Sequence, residues 1–181
     1  TLFVPIIIAV LAYIGYGVWE SNKEAKAASG SDTFRPIMTS LENTNAPEIS
    51  EQTAKTIIAQ SAVLKENYSD TLYSDLAKLL KARVDVENNR LDDAVIALQS
   101  VAQSGSNEGV KAVAQARLAK VYIEQKKFDE ALALVSTVTN DAFKGTFTEI
   151  RGDIALAQGD KATANSQYKI ALGTLGPLDF Q

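Results

Sequence analysis

Two acidic pairs, Asp92-Asp93 and Asp129-Glu130, are the side chains best placed by type and spacing to do chemistry in this sequence. Adjacent carboxylates can divide acid and base roles between them. Both pairs, however, open stretches with helical periodicity, where negative charge favours the helix dipole and caps the backbone. That structural role is the simpler one. The sequence has no histidine and no cysteine. Disulfides, thiol nucleophiles and zinc sites of the usual kind are excluded, as is a histidine-based triad or general base. Serines and lysines are plentiful, but no spacing suggests a dyad. A non-enzymatic protein is expected, with no catalytic residue, no metal and no cofactor.

The net charge is −4, all of it carried beyond residue 19. A mildly acidic chain without a Lys/Arg cluster is a poor partner for nucleic acid, so no nucleic-acid binding is expected. Glu20, Lys23, Glu24 and Lys26 alternate in sign, which argues against strong attraction to anionic lipid.

The acidic pairs belong to a recurring phrase. Asn88-Asn89-Arg90-Leu91-Asp92-Asp93-Ala94 is followed by Gln125-Lys126-Lys127-Phe128-Asp129-Glu130-Ala131 and then by Gln158-Gly159-Asp160-Lys161-Ala162-Thr163-Ala164. The closing alanines lie 37 and 33 residues apart. Twelve positions before each stands another small residue: Ala82, Ala119 and Gly152. Two helices of a hairpin approach closely only where side chains are small, so each phrase marks a turn and each small pair a crossing. This resembles the tetratricopeptide pattern, which recurs at roughly 34 residues. Leu118-Ala119, Tyr122, Phe128, Ala131, Val135 and Val138 carry it best. The third unit departs at Arg151 and Lys161, and the first has Asp85 where the family prefers an aromatic residue.

The expected fold is all-α, with three helical hairpins at about 72–102, 110–138 and 143–175. A further helix over 50–65 should start at Ser50 as N-cap, with Ala54, Ile57, Ile58, Ala62 and Leu64 as its apolar face. Leu76, Leu79 and Leu80 should meet Val95 and Leu98. Phe128, Leu132 and Val135 should meet Leu118 and Tyr122. The helix after Ser50 and the tail over 172–180 are the expected caps of the stack.

The family's inner helix positions fall here on Leu76, Leu79, Arg83, Val86 and Glu87, then Val113, Ala116, Lys120, Ile123 and Glu124, then Glu149, Asp153 and Leu156. They describe an aliphatic groove crossed by a polar row of Arg83, Lys120 and Asp153. Such a groove suits an amphipathic or extended peptide. The competing expectation is that the helix after Ser50 fills it. With Asp153 opposing Arg83 and Lys120, a carboxylate clamp is not expected. Leu79→Asp with charge reversal at Lys120 is expected to abolish peptide binding while leaving helicity intact.

Residues 2–19, LFVPIIIAVLAYIGYGVW, carry no charge. As a helix they span roughly 27 Å, close to a bilayer's hydrocarbon thickness. Tyr16 and Trp19 stand at the downstream end, where aromatic rings favour the headgroup zone. Ala25-Lys26-Ala27 mimics a signal-peptide cleavage site, but the apolar run is long for a signal core. A retained anchor over 1–19 is expected, then a stalk and loop over 20–49 that Pro36 should bend or end, then the repeat domain over 50–181. Ala12 and Gly15 would permit close approach of another membrane helix.

Anchor, stalk and degenerate repeats together resemble the YfgM family of bacterial inner-membrane proteins. The resemblance rests on Leu118-Ala119-Lys120-Val121 with Asp129-Glu130-Ala131-Leu132, and on Ile150-Arg151-Gly152-Asp153 with Ala155-Leu156-Ala157-Gln158-Gly159-Asp160-Lys161. It implies an ancillary subunit of the SecYEG translocon, single-pass in the inner membrane with its C-terminal domain in the periplasm. It further implies association with the periplasmic chaperone PpiD and contact with emerging secreted polypeptides. An anchored adaptor of another envelope complex, in pilus or cell-wall machinery, is the alternative.

Overall fold

A computed structural model describes residues 3–42, 48–137 and 141–174, of which 3–19 by backbone alone. These residues form eight α-helices and one short 3₁₀ turn, with no strand among them. The helices are α1 (Phe3–Glu42), α2 (Glu51–Asn67), α3 (Leu72–Glu87), α4 (Leu91–Ser104), α5 (Glu108–Glu124), α6 (Phe128–Ser136), α7 (Lys144–Ala157) and α8 (Lys161–Thr174). The chain divides into two compact units, Thr1–Ala77 and Lys78–Gln181.

In the first unit α1 packs along α2. Over its second half, where a stalk is expected, most residues are exposed but Phe34 and Ile37 are buried, and the Phe34 ring lies 5.8 Å from that of Tyr73. Pro36 does not end the helix, which continues to Glu42. A proline removes only its own donor to the carbonyl four residues back, and the burial of Phe34 and Ile37 on either side holds the turn. Ser50 caps α2 as expected, its Oγ accepting from the Thr53 N–H at 3.1 Å.

The buried stripe of α2 differs from the expected one. It runs through Thr53, Ile57, Ser61 and Leu64, while Ile58 and Ala62 are exposed. Two hydroxyls can occupy that stripe because each donates to a backbone carbonyl: Ser61 Oγ to Ala77 at 3.1 Å and Thr53 Oγ1 to Ser40 at 3.4 Å.

Among the residues described with their side chains, no helix is long and apolar enough to cross a membrane. The anchor expected over 1–19, with Ala12 and Gly15, lies outside them. So do Val138 and all but the first residues of the expected 172–180 cap.

The second unit contains the three repeated turns. Asn89, Lys126 and Gly159, the second residue of each phrase, all take a left-handed backbone, with φ of 57°, 59° and 86°. The residue after each donates its N–H back five positions: Arg90 to Asp85 at 2.7 Å, Lys127 to Tyr122 at 2.8 Å and Asp160 to Ala155 at 2.9 Å. One Schellman-type ending thus closes the first helix of each hairpin and satisfies carbonyls the helix leaves open. The acidic pairs then fall in the first turns of α4 and α6.

All six small crossing residues are buried. Ala82 and Ala94 are 1% and 0% exposed, Ala119 and Ala131 both 0%, and Ala164 2%. Gly152 is buried as well, and a Cβ added to it would come 2.5 Å from the Tyr168 ring. Ala112, Ala116, Ala119, Ala131, Val135, Phe147, Ile150 and Ile154 make one continuous core, with Tyr122, Phe128 and Leu134 packed against it. Leu132, expected inside, is 47% exposed. It neighbours Ala131 in sequence, and successive residues turn about 100° apart on a helix.

Candidate functional site

Residues of α3, α4 and α5 line a cleft of about 400 Å³. Ala82, Leu98, Val121 and Val86 form its apolar part. The first three are buried, and Val86 is 37% exposed at the rim. Arg83, Arg117, Lys120 and Glu124 supply the polar rim.

Each cation has different surroundings. Arg83 Nε donates to Glu87 Oε1 at 2.8 Å, one turn along α3. Lys120 Nζ lies 3.8 Å from Glu149 Oε1 of α7, beyond hydrogen-bond length. Arg117 Nη1 donates to the Leu79 carbonyl at 3.4 Å. Arg117 keeps exposed surface, but partial desolvation over the apolar floor, and secondarily the charge of Arg83, lowers its pKa from the ordinary value.

Of the residues expected to line a groove, Arg83, Val86 and Lys120 meet in this cleft. Leu79 and Ala116 do not: they are 4% and 8% exposed and belong to the core. Leu79→Asp would therefore test folding rather than binding. Leu76, Val113 and Ile123 are half-buried, and Ile123 packs against the α5–α7 core. Leu156 is 50% exposed on α7.

Asp153 leaves the expected polar row because it accepts a hydrogen bond from the Tyr168 hydroxyl at 2.8 Å. The absence of a Cβ at Gly152 is what lets the Tyr168 ring lie flat enough to reach it. Arg117 was missed by reading repeat positions alone. It stands one residue round the helix from Ala116, and only a long side chain can reach the cleft from there.

Tyr168 provides a pH signature. Burial chiefly, then the hydrogen bond to Asp153 and the charges of Asp153 and Glu149, push its hydroxyl up to about 12. Above pH about 10 the unfolded chain releases this proton first, so the stability it confers is complete below about 10 and is lost as pH rises through about 12. A tyrosinate absorbance titration should therefore lose a step near pH 12 in Tyr168→Phe. Loss of an ordinary step near 10 would contradict the assignment.

The acidic pairs hold structural positions. Asp92 accepts from Gln125 Nε2 at 2.8 Å, tying the first hairpin to the second. Asp93 lies 3.7 Å from Arg90, and Asp129 and Glu130 are exposed. Among the described residues no acidic group is arranged to hold a metal ion.

Helix pairs that cross at alanine and glycine, turn through one repeated left-handed residue and leave a cleft beside their first helices define a tetratricopeptide-like repeat protein. A family model described as a tetratricopeptide repeat-like domain matches residues 1–179. The ancillary SecYEG translocon subunit of Escherichia coli (strain K12) is 31% identical, over 93% of this chain and 77% of its own length. That of Neisseria gonorrhoeae is 28% identical over 94% and 78%, and that of Aggregatibacter actinomycetemcomitans 27% over 99% and 84%. No solved structure is significantly similar. The chain belongs to this family of ancillary SecYEG translocon subunits, the YfgM family.

Proposed function

We propose that this chain is a non-catalytic, single-pass accessory subunit of a SecYEG translocon. Residues 1–19 anchor it in the inner membrane, and the repeat domain stands on the periplasmic side. The observation that carries this reading is the similarity, over more than nine-tenths of the chain, to relatives that bear that name. The uncharged run over residues 2–19 and the cleft of α3, α4 and α5 support it. In this reading the cleft receives partner polypeptides, among them the chaperone PpiD and emerging secreted chains. Tethering beside an exit pore raises the effective concentration of cleft and chain for one another, so modest affinity suffices. Ala12 and Gly15 give the anchor a close packing surface for translocon helices.

Affinity purification of the tagged chain from membranes in mild detergent should recover SecYEG subunits and PpiD. Recovery of a pilus or cell-wall assembly in their place would overturn the assignment. Replacing both Ala12 and Gly15 by leucine should reduce recovery of the translocon. Unchanged recovery would remove the anchor helix from the contact.

A further inference from the structure

We propose that the cleft of α3, α4 and α5 holds an internal acidic–aliphatic segment of a partner polypeptide. One Asp or Glu carboxylate of that segment sits against Arg117, flanked by Arg83 and Lys120, while a neighbouring aliphatic side chain lies on Val86 and Leu98. The inference deepens the functional reading above and rests on it for the source of the segment. A chain leaving a channel presents its interior before its C-terminus, so the carboxylate is a side chain.

Charge complementarity carries the argument. Three cations border one small apolar cleft, and among the described residues no carboxylate pairs with Arg117. A guanidinium has five donors in a planar fork that matches a carboxylate. The one hydrogen bond described for Arg117, at 3.4 Å to the Leu79 carbonyl, leaves most of that fork unused. Its side chain keeps exposed surface, yet partial desolvation over the apolar floor and the nearby Arg83 both disfavour its charge, and an incoming anion offsets both. Arg83 is held by Glu87 at 2.8 Å, whereas Lys120 has only Glu149 at 3.8 Å and so shares the incoming carboxylate with Arg117. Glu124, on the same rim, stands one turn beyond Lys120 and turns away segments that are acidic along their whole length. The occupant therefore has an isolated acid among aliphatic residues. A cleft of about 400 Å³ accommodates a few such side chains and no whole helix.

The test uses the full chain in lipid nanodiscs and fluorescent peptides with both termini blocked. One peptide has a Leu-Glu-Leu core, one replaces Glu by Gln, and one replaces it by Lys. The acidic peptide should bind about tenfold more tightly than the amide peptide at low salt, with the advantage shrinking as salt screens it. Arg117→Gln should erase the advantage without weakening the amide peptide, and Arg117→Lys should keep part of it. Lys120→Gln, at an exposed site, should reduce the advantage independently of any effect of Arg117 on folding.

Equal affinities for the acidic and amide peptides overturn the proposal, as does a preference for the lysine peptide. An undiminished preference in a folded Arg117→Gln protein also overturns it. Self-association that Arg117→Gln abolishes would assign the cleft to a second copy and overturn it too. Co-purification with the translocon separates the two readings. Its persistence without any acidic preference removes this inference alone, and its absence with the preference intact removes the functional reading alone.

Discussion

Ala131→Leu should lower the stability of the chain by about 3 kcal/mol, at the upper end of what overpacking a tight core costs. Ala131 has no exposed surface and stands where α6 crosses α5 opposite Ala119, itself fully buried. Val135, Phe147 and Ile150 complete the surrounding core. At a site with no exposed surface, three added carbons must push the helices apart or force strained rotamers. The control is one residue away: Leu132 is 47% exposed, and Leu132→Ala should change stability by less than about 1 kcal/mol. Urea unfolding followed by circular dichroism reads both. A neutral Ala131→Leu would mean that the two helices do not nest at this point.

Asp85→Ala should cost about 2–3 kcal/mol, as expected for hydrogen bonds to a charged group. Asp85 is 1% exposed at the end of α3. Its carboxylate accepts from Lys81 Nζ at 2.6 Å and from Arg90 Nη2 and Nε at 2.7 and 3.2 Å. Its carbonyl accepts the Arg90 N–H that closes the turn. The side chain therefore pins the residue that begins α4. Removing it leaves two cations, but Lys81 and Arg90 are 35% and 42% exposed and can turn to water. The loss should for that reason fall below the about 3–5 kcal/mol of a wholly buried pair. Asp85→Asn should cost less than Asp85→Ala, since it keeps one acceptor. Equal losses for the two would show that the charge, and not the shape or a remaining acceptor, holds the turn.

The hairpins were readable because their turns repeat a chemical rule. Asn89, Lys126 and Gly159 occupy the same left-handed site, and the small residues twelve positions before each closing alanine lie at the crossings. Helix ends fall within about two residues of the expected ones for the same reason. Asp85 shows the opposite case. In the sequence it is a departure that makes the first unit look degenerate; in the structure it replaces an aromatic plug with a buried ion-pair lock. Lys81 lies one helical turn from Asp85 and reads as an ordinary surface pair, while the spacing of Arg90 to Asp85 becomes meaningful only once the turn is closed. On α2, counting apolar residues selects Ile58 and Ala62, while the fold buries Thr53 and Ser61. Hydropathy cannot register that a hydroxyl has found a carbonyl.

The cleft was half legible. Repeat register brings Arg83, Val86 and Lys120 to the same cleft, yet assigns Leu79 and Ala116 to a surface they do not have. It also keeps Asp153 in a row from which Tyr168 withdraws it. Register fixes where a Cα lies round a helix, whereas the destination of a long or hydrogen-bonding side chain depends on its neighbours.

The unbroken α1 carries one more consequence. Its 40 residues extend about 60 Å at 1.5 Å each, and the packed Phe34 and Ile37 lie on the same rod as the uncharged run. With residues 1–19 seated in a bilayer as proposed, there is no swivel between the lipid and the first folded unit. The bearing of that unit is then geared to the rod: two residues inserted between Trp19 and Phe34 swing it about 200° round the axis, whereas seven return it nearly to its original heading and raise it by about 10 Å. Height above the lipid and compass direction are set by one dial.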